Sequence, residues 1–70
     1  MFMMIGEETE MEKITEVLEK GGTIVVDRMD PEIEDVDEFV EEINDKLEAK
    51  YGESIVFEDD YVYTWSLRAA

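Results

Sequence analysis

The sequence contains no cysteine and no histidine. The first absence excludes a disulfide framework, a thiolate nucleophile and the usual cysteine-built zinc sites. The second removes the commonest general base near neutral pH and the commonest metal ligand. Basic residues are also scarce, 6 against 21 acidic ones, so direct binding to nucleic acid or to an anionic membrane is not expected. The apolar run Met1–Ile5 has no basic flank and is too short for a signal peptide or a membrane span. The chain is therefore expected to be soluble and cytoplasmic. No linker, internal repeat or low-complexity segment interrupts it.

What remains is a 70-residue chain, 44% hydrophobic, with one Trp, three Tyr and three Phe. Its apolar residues recur periodically, so it folds rather than staying disordered. Residues 1–70 make one acidic domain, near the lower limit for a self-sufficient core. The net charge of −15 makes a compact body repel itself.

The stretch Asp30–Tyr51 dominates the reading. Asp30 is a suitable N-cap and Pro31 suits the first helical position. Ile33, Val36, Val40, Ile43, Leu47 and Tyr51 follow the rhythm of one buried helical face. Gly52 is the stop. Glu34, Glu38, Glu41, Asp45 and Glu48 line up opposite that stripe, with Asp35, Asp37 and Glu42 beside them.

Around this helix, Thr9 and Glu12 are spaced as a capping box, and Met11, Ile14, Val17 and Leu18 give a first helix that ends at Gly21-Gly22. Thr23–Arg28 reads as a strand, as do Ser54–Glu58 and Tyr61–Leu67, joined at Asp59–Asp60. A two-residue loop puts Ile55 and Phe57 on the face of Val62 and Thr64; a three-residue loop puts them with Tyr61, Tyr63 and Trp65. Met1–Ile5 is either a short strand or an apolar arm. The expected fold is α+β, with two helices on one face of a small, mainly antiparallel three-stranded sheet, in the order α-β-α-β-β with a possible extra N-terminal strand. The uncovered sheet face is partly apolar, which on so small a chain points to a homodimer through that face or through Met1–Ile5.

Enzymatic chemistry is not expected, because no carboxylate pair sits in an apolar cleft and no nucleophile or base accompanies the acids. No cofactor is implied. A calcium loop on Asp30, Glu32, Glu34, Glu38 and Glu41 fails at its sixth position, where Asp35 stands in place of the required glycine; no metal site is assigned. The acidic helix is itself costly, since like charges at i, i+4 destabilise a helix by about 0.2–0.5 kcal/mol per pair. A solvated acidic scaffold or a halophilic surface would carry such a face. So would an imitation of the nucleic-acid backbone. Nine carboxylates lie between Glu32 and Glu48; at a rise of about 1.5 Å per residue they give one charge per ~2.7 Å, against ~1.7 Å for duplex DNA. Glu58, Asp59 and Asp60 at the hairpin tip extend the track.

In size, charge and element order the chain resembles the small acidic DNA-mimic proteins that bacteriophages make to disable host or defence proteins. The likeness covers all 70 residues and is one of composition and layout. It implies an acidic dimer, acting in the bacterial host cell, that occupies the DNA-binding surface of the nucleoid protein HU and blocks DNA binding. Other members of that group target restriction enzymes, CRISPR effectors, repair glycosylases or RNA polymerase. The partner-binding residues so implied are the acids of the helix, Glu34, Asp35, Asp37, Glu38, Glu41, Glu42, Asp45 and Glu48, with Glu58, Asp59 and Asp60.

Overall fold

Four short strands and two helices account for the fold. A computed structural model describes residues 1–68 in the order β1 (Phe2–Ile5), α1 (Met11–Glu19), β2 (Thr23–Val26), α2 (Val36–Tyr51), a 3-10 turn (Gly52–Ser54), β3 (Ile55–Glu58) and β4 (Thr64–Leu67). The sheet order is β1-β2-β4-β3. β1 and β2 are parallel, as α1 supplies the crossover that a parallel pair needs; the other two pairings are antiparallel. The expected three-stranded sheet is thus a four-stranded mixed one, and Met1–Ile5 is a strand rather than an arm.

The core lies between one face of this sheet and the two helices. Ile5, Ile24, Val26 and Trp65 come from the sheet, Ile14 and Leu18 from α1, Val40, Ile43 and Leu47 from α2; among the described residues no polar or charged residue is buried. The helical spacing placed the residues of α1 and α2 inward; the inward face of Ile5 and Trp65 comes from the strand pairing. Phe39 is also buried, at the flank of the helical stripe, and belongs to the core although the stripe did not include it. Burying the Trp65 indole requires a partner for its N–H, and Asn44 Oδ1 accepts it at 3.0 Å.

Helix α2 starts five residues later than expected, at Val36, with Asp35 as N-cap. The Asp35 carboxylate accepts from the Glu38 N–H at 3.2 Å. Asp30 is committed elsewhere: one oxygen accepts from Glu32 N–H at 2.9 Å and the other from Glu7 N–H at 3.1 Å. That second bond ties the β2–α2 connection to the β1–α1 connection, a tertiary contact that outcompetes helix initiation at Pro31. Gly6 permits it, because a Cβ there would collide with the Asp30 carboxylate. The Thr9–Glu12 capping box does not form either. Thr9 Oγ1 accepts from Gly6 N–H at 2.9 Å, and Glu10 occupies the N-cap of α1 without a side-chain cap.

Helix α1 does end at the Gly pair. Gly21 N–H donates to Leu18 O and Gly22 N–H to Val17 O, with Gly21 at φ 85°, which is the paired pattern of a Schellman stop. The hairpin register differs from both expected alternatives. Ile55 pairs with Leu67 and Phe57 with Trp65, so residues 59–63 form the connection. A two-residue primed turn needs positive φ; Asp59–Asp60 offers no glycine, and among the described residues no non-glycine has positive φ. The wider loop keeps Ile55 and Phe57 on the face of Trp65, as the three-residue alternative did, but two residues further along.

Two substitutions test these local readings. Asp35→Ala should cost about 1 kcal/mol through loss of the cap, and Gly21→Ala should cost about 1 kcal/mol because it forces a Cβ into positive φ. Urea unfolding of both variants measures these losses; an Asp35→Ala variant as stable as wild type would contradict the placement of the helix start.

Candidate functional site

The topology sorts the charge. β1 and β2 run the same way and β4 is antiparallel to β2, so the connections after β1, after β2 and between β3 and β4 all emerge at one end of the sheet. Both helices also begin there. Residues 7–12, 27–38 and 58–60 at this end hold 14 of the 21 acidic residues and a single basic one, Arg28. The other seven acids share the rest of the chain with five Lys and Arg. The acids near the two helix N-termini are favourably placed against the helix dipoles, which offsets part of their crowding.

Arg28 does little to neutralise this end. Its Nη1 donates to Tyr61 O at 3.1 Å and its guanidinium lies 5.6 Å from the Tyr63 ring centroid. The one ion pair among the described residues is Lys20–Glu16 at 3.0 Å, in α1 and exposed. It holds the Glu16 carboxyl below its ordinary value, through the hydrogen bond from Lys20 and then its charge. Glu32 goes the other way. The charge of Glu8 raises it first, then desolvation; the charge of Asp30, the hydrogen bond that protonated Glu32 donates to Glu8, and the charge of Glu7 add in the same direction.

Each acid implicated by sequence is exposed, but their settings differ. Glu34 precedes α2 rather than lying on it, and Asp35 is the cap. Asp37 accepts from the Tyr63 hydroxyl at 3.1 Å, and its hydrogen bond and charge push the phenol above its ordinary value, with Asp59 acting in the same direction. This contact brings the hairpin tip Glu58–Asp60 to the beginning of α2. Glu48 accepts from Asn44 Nδ2 at 3.0 Å. Glu38, Glu41, Glu42 and Asp45 make no side-chain hydrogen bond or ion pair among the described residues.

The helical rod is shorter than expected. From Asp37 to Glu48 six carboxylates cover a rise of about 16 Å, or one per ~2.8 Å, between the ~1.7 Å of duplex DNA and the ~3.4 Å of one of its strands. The partner-binding residues implied by sequence left out the other acids of this end, Glu7, Glu8, Glu10, Glu12, Asp27, Asp30 and Glu32, of which only Glu32 entered the charge track. Beside the start of α2, Glu7, Glu32, Glu34, Asp35, Glu38 and Glu42 line a groove of about 420 Å³ floored by Ile33 and Phe39. The signal that could have revealed them is the parallel pairing of Met1–Ile5 with Thr23–Val26, which folds Glu7 and Glu8 against Asp30 and Glu32. Among the described residues no group of acids is arranged to hold a metal ion, and no helix is long and apolar enough to cross a membrane.

The raised pKa of Glu32 carries a definite sign. The folded state binds that proton more tightly than the unfolded state, so ionised Glu32 opposes folding above its folded pKa and ceases to do so once pH falls below the unfolded value. Glu32→Gln should therefore raise the melting temperature at neutral pH, and the gain should vanish below about pH 4, where both states are protonated. Added salt should shrink the gain at neutral pH. Thermal melts across pH that show Glu32→Gln no more stable than wild type at neutral pH would contradict this.

Comparison with known proteins finds no match to the chain among family models, curated proteins or solved structures.

Proposed function

We propose that this protein is a non-enzymatic DNA mimic that binds a basic DNA-binding protein at its DNA-binding surface, presenting carboxylates where DNA presents phosphates. The nucleoid protein HU is the target that the resemblance to phage DNA mimics puts first. The observation that carries the reading is the concentration of 14 carboxylates at the loop end and the start of α2, beside a single arginine that is occupied internally. A surface of that kind focuses a negative field and steers a basic partner toward it. The dimensions are compatible: the molecule is 36 Å along its longest axis, about one ~34–36 Å turn of duplex.

The energetics argue in the same direction. Asp37–Glu41, Glu38–Glu42 and Glu41–Asp45 are like-charge i, i+4 pairs on α2, each destabilising by about 0.2–0.5 kcal/mol. Lysine at any of these positions would have relieved the strain. A surface kept unfavourable for folding is accounted for if the same charges are used in binding. A plain acidic scaffold gives no reason for the asymmetry between the two ends.

The test uses side chains free of structural duty. A variant carrying Glu34→Gln, Glu38→Gln, Glu41→Gln, Glu42→Gln and Asp45→Asn should fold at least as stably as wild type. In a competition assay the wild type should displace duplex DNA from purified HU, and the variant should do so far less well, with a shallower salt dependence. A variant that folds and displaces DNA as well as wild type does would show that Glu34 and the free acids of α2 are not the working surface.

A further inference from the structure

In a molecule of net charge −15, a surface without charge is the exception. β1 lies at one edge of the sheet, and residues 1–5 contain no charged residue and no proline. Edge strands are ordinarily blunted by charge, proline or a bulge, because their free backbone groups template pairing with another strand. Here Phe2 is 77% and Met4 63% exposed.

The backbone shows which groups are free. Met1 O and Ile5 O accept from Thr23 N–H and Asp27 N–H across the β1–β2 pair. Along a strand the N–H and C=O of one residue point to the same side, and successive residues alternate sides. Those of Phe2 and Met4 therefore point away from β2 into solvent. Their side chains lie on the outer sheet face, since Ile5 is buried on the inner one.

We propose that β1 pairs antiparallel with β1 of a second copy about a two-fold axis at Met3, setting Phe2 opposite Met4 of that copy and joining two four-stranded sheets into one. This register uses every outward backbone group of Phe2 and Met4, giving four hydrogen bonds. Shifting it by two residues in one direction pairs Met4 with itself and sets Phe2 against Gly6, whose N–H is already held by Thr9. Shifting it the other way pairs Phe2 with itself and leaves Met4 beyond the facing strand. The contact is isologous and closes as a dimer, and it brings each Phe2 ring beside a methionine sulfur, a favourable pairing.

Charge selects this edge over other surfaces for a second copy. Contact through α1, α2 or the loop end would set carboxylates against carboxylates, and β3, the opposite edge, follows Glu53 and ends in Glu58. Behind β1 the outer face continues with Thr23, Val25, Thr64 and Ser66, all uncharged. A four-residue seam is small beside the ~800 Å² per partner of a standard interface, so the dimer is concentration-dependent. It stands independently of the DNA-mimic reading, because its test involves no partner protein.

Sedimentation equilibrium of the full chain at physiological salt, from micromolar to near-millimolar concentration, tests it. The mass should rise from 8.2 kDa toward twice that value, and added salt should favour the dimer by screening the like charges. Met4→Pro removes an outward N–H while leaving the bonds to β2 in place, as an edge position allows; Phe2→Glu sets a charge in the seam. Both should remain monomeric with unchanged far-UV circular dichroism. Val56→Glu, on the same outer face but on β3, should still dimerise. A wild type that stays at 8.2 kDa throughout, or a dimer that survives Phe2→Glu, would overturn the proposal. A dimer that Val56→Glu dissolves as fully as Phe2→Glu does would overturn it in favour of stacked sheet faces. Should Met4→Pro fail to fold, Phe2→Glu decides alone, since its side chain touches little of its own chain.

Discussion

Like-charge repulsion is the constraint under which the whole structure is arranged. Twenty-one carboxylates must all stay solvated, because an unpaired buried carboxylate would cost far more than a domain of this size could offset. The described residues meet that demand without exception: the core of eleven side chains is hydrophobic, and no polar or charged residue is buried. Both helices accordingly have one face for the core and one for the charge, and the connections at the loop end carry most of the rest. Two polar contacts to neutral donors anchor α2, Trp65 to Asn44 in the half-buried interior and Tyr63 to Asp37 at the surface. Repulsion is tolerated where helix dipoles offset it, at the end where both helices begin.

The same constraint links stability to the proposed activity. Tyr51 donates its hydroxyl proton to Glu19 at 2.8 Å, and burial followed by that contact pushes its pKa to about 12. Here an acidic residue stabilises the fold by accepting a bond between the helices. At the loop end the acids do less for one another. Asp30 and Asp35 organise backbone turns, whereas Glu34, Glu38, Glu41 and Glu42 project into solvent with no partner among the described residues. Carboxylates that hold the chain together are thus interspersed with carboxylates that only charge its surface, and the second kind is what a basic groove would meet.

Much of this was legible in the sequence. The strand read at Thr23–Arg28, which ends two residues earlier at Val26, the apolar stripe Val40, Ile43 and Leu47, and the Gly21-Gly22 stop each follow from local rules. The start of α2 was not legible, because Asp30 and Asp35 are both competent caps and only the long-range bond from Glu7 N–H to Asp30 decides between them. The hairpin register was not legible either, since Asp59–Asp60 fixes no turn type. The role of Met1–Ile5 depended on a parallel partner 21 residues away, a non-local pairing that no periodicity announces. For the acidic surface, the share on α2 could be read from helical spacing. The share contributed by Glu7, Glu8 and Asp30 could not, because it arises from strand direction alone.

The central claim is that the acidic surface engages proteins where they would engage DNA. Capture from a bacterial lysate on immobilised protein, followed by elution with duplex DNA, addresses it most directly. The principal captured proteins should be DNA-binding proteins, and added duplex should release them. Captured proteins that stay bound in the presence of saturating DNA, yet leave with salt, would contradict it and mark the surface as an acidic contact unrelated to DNA.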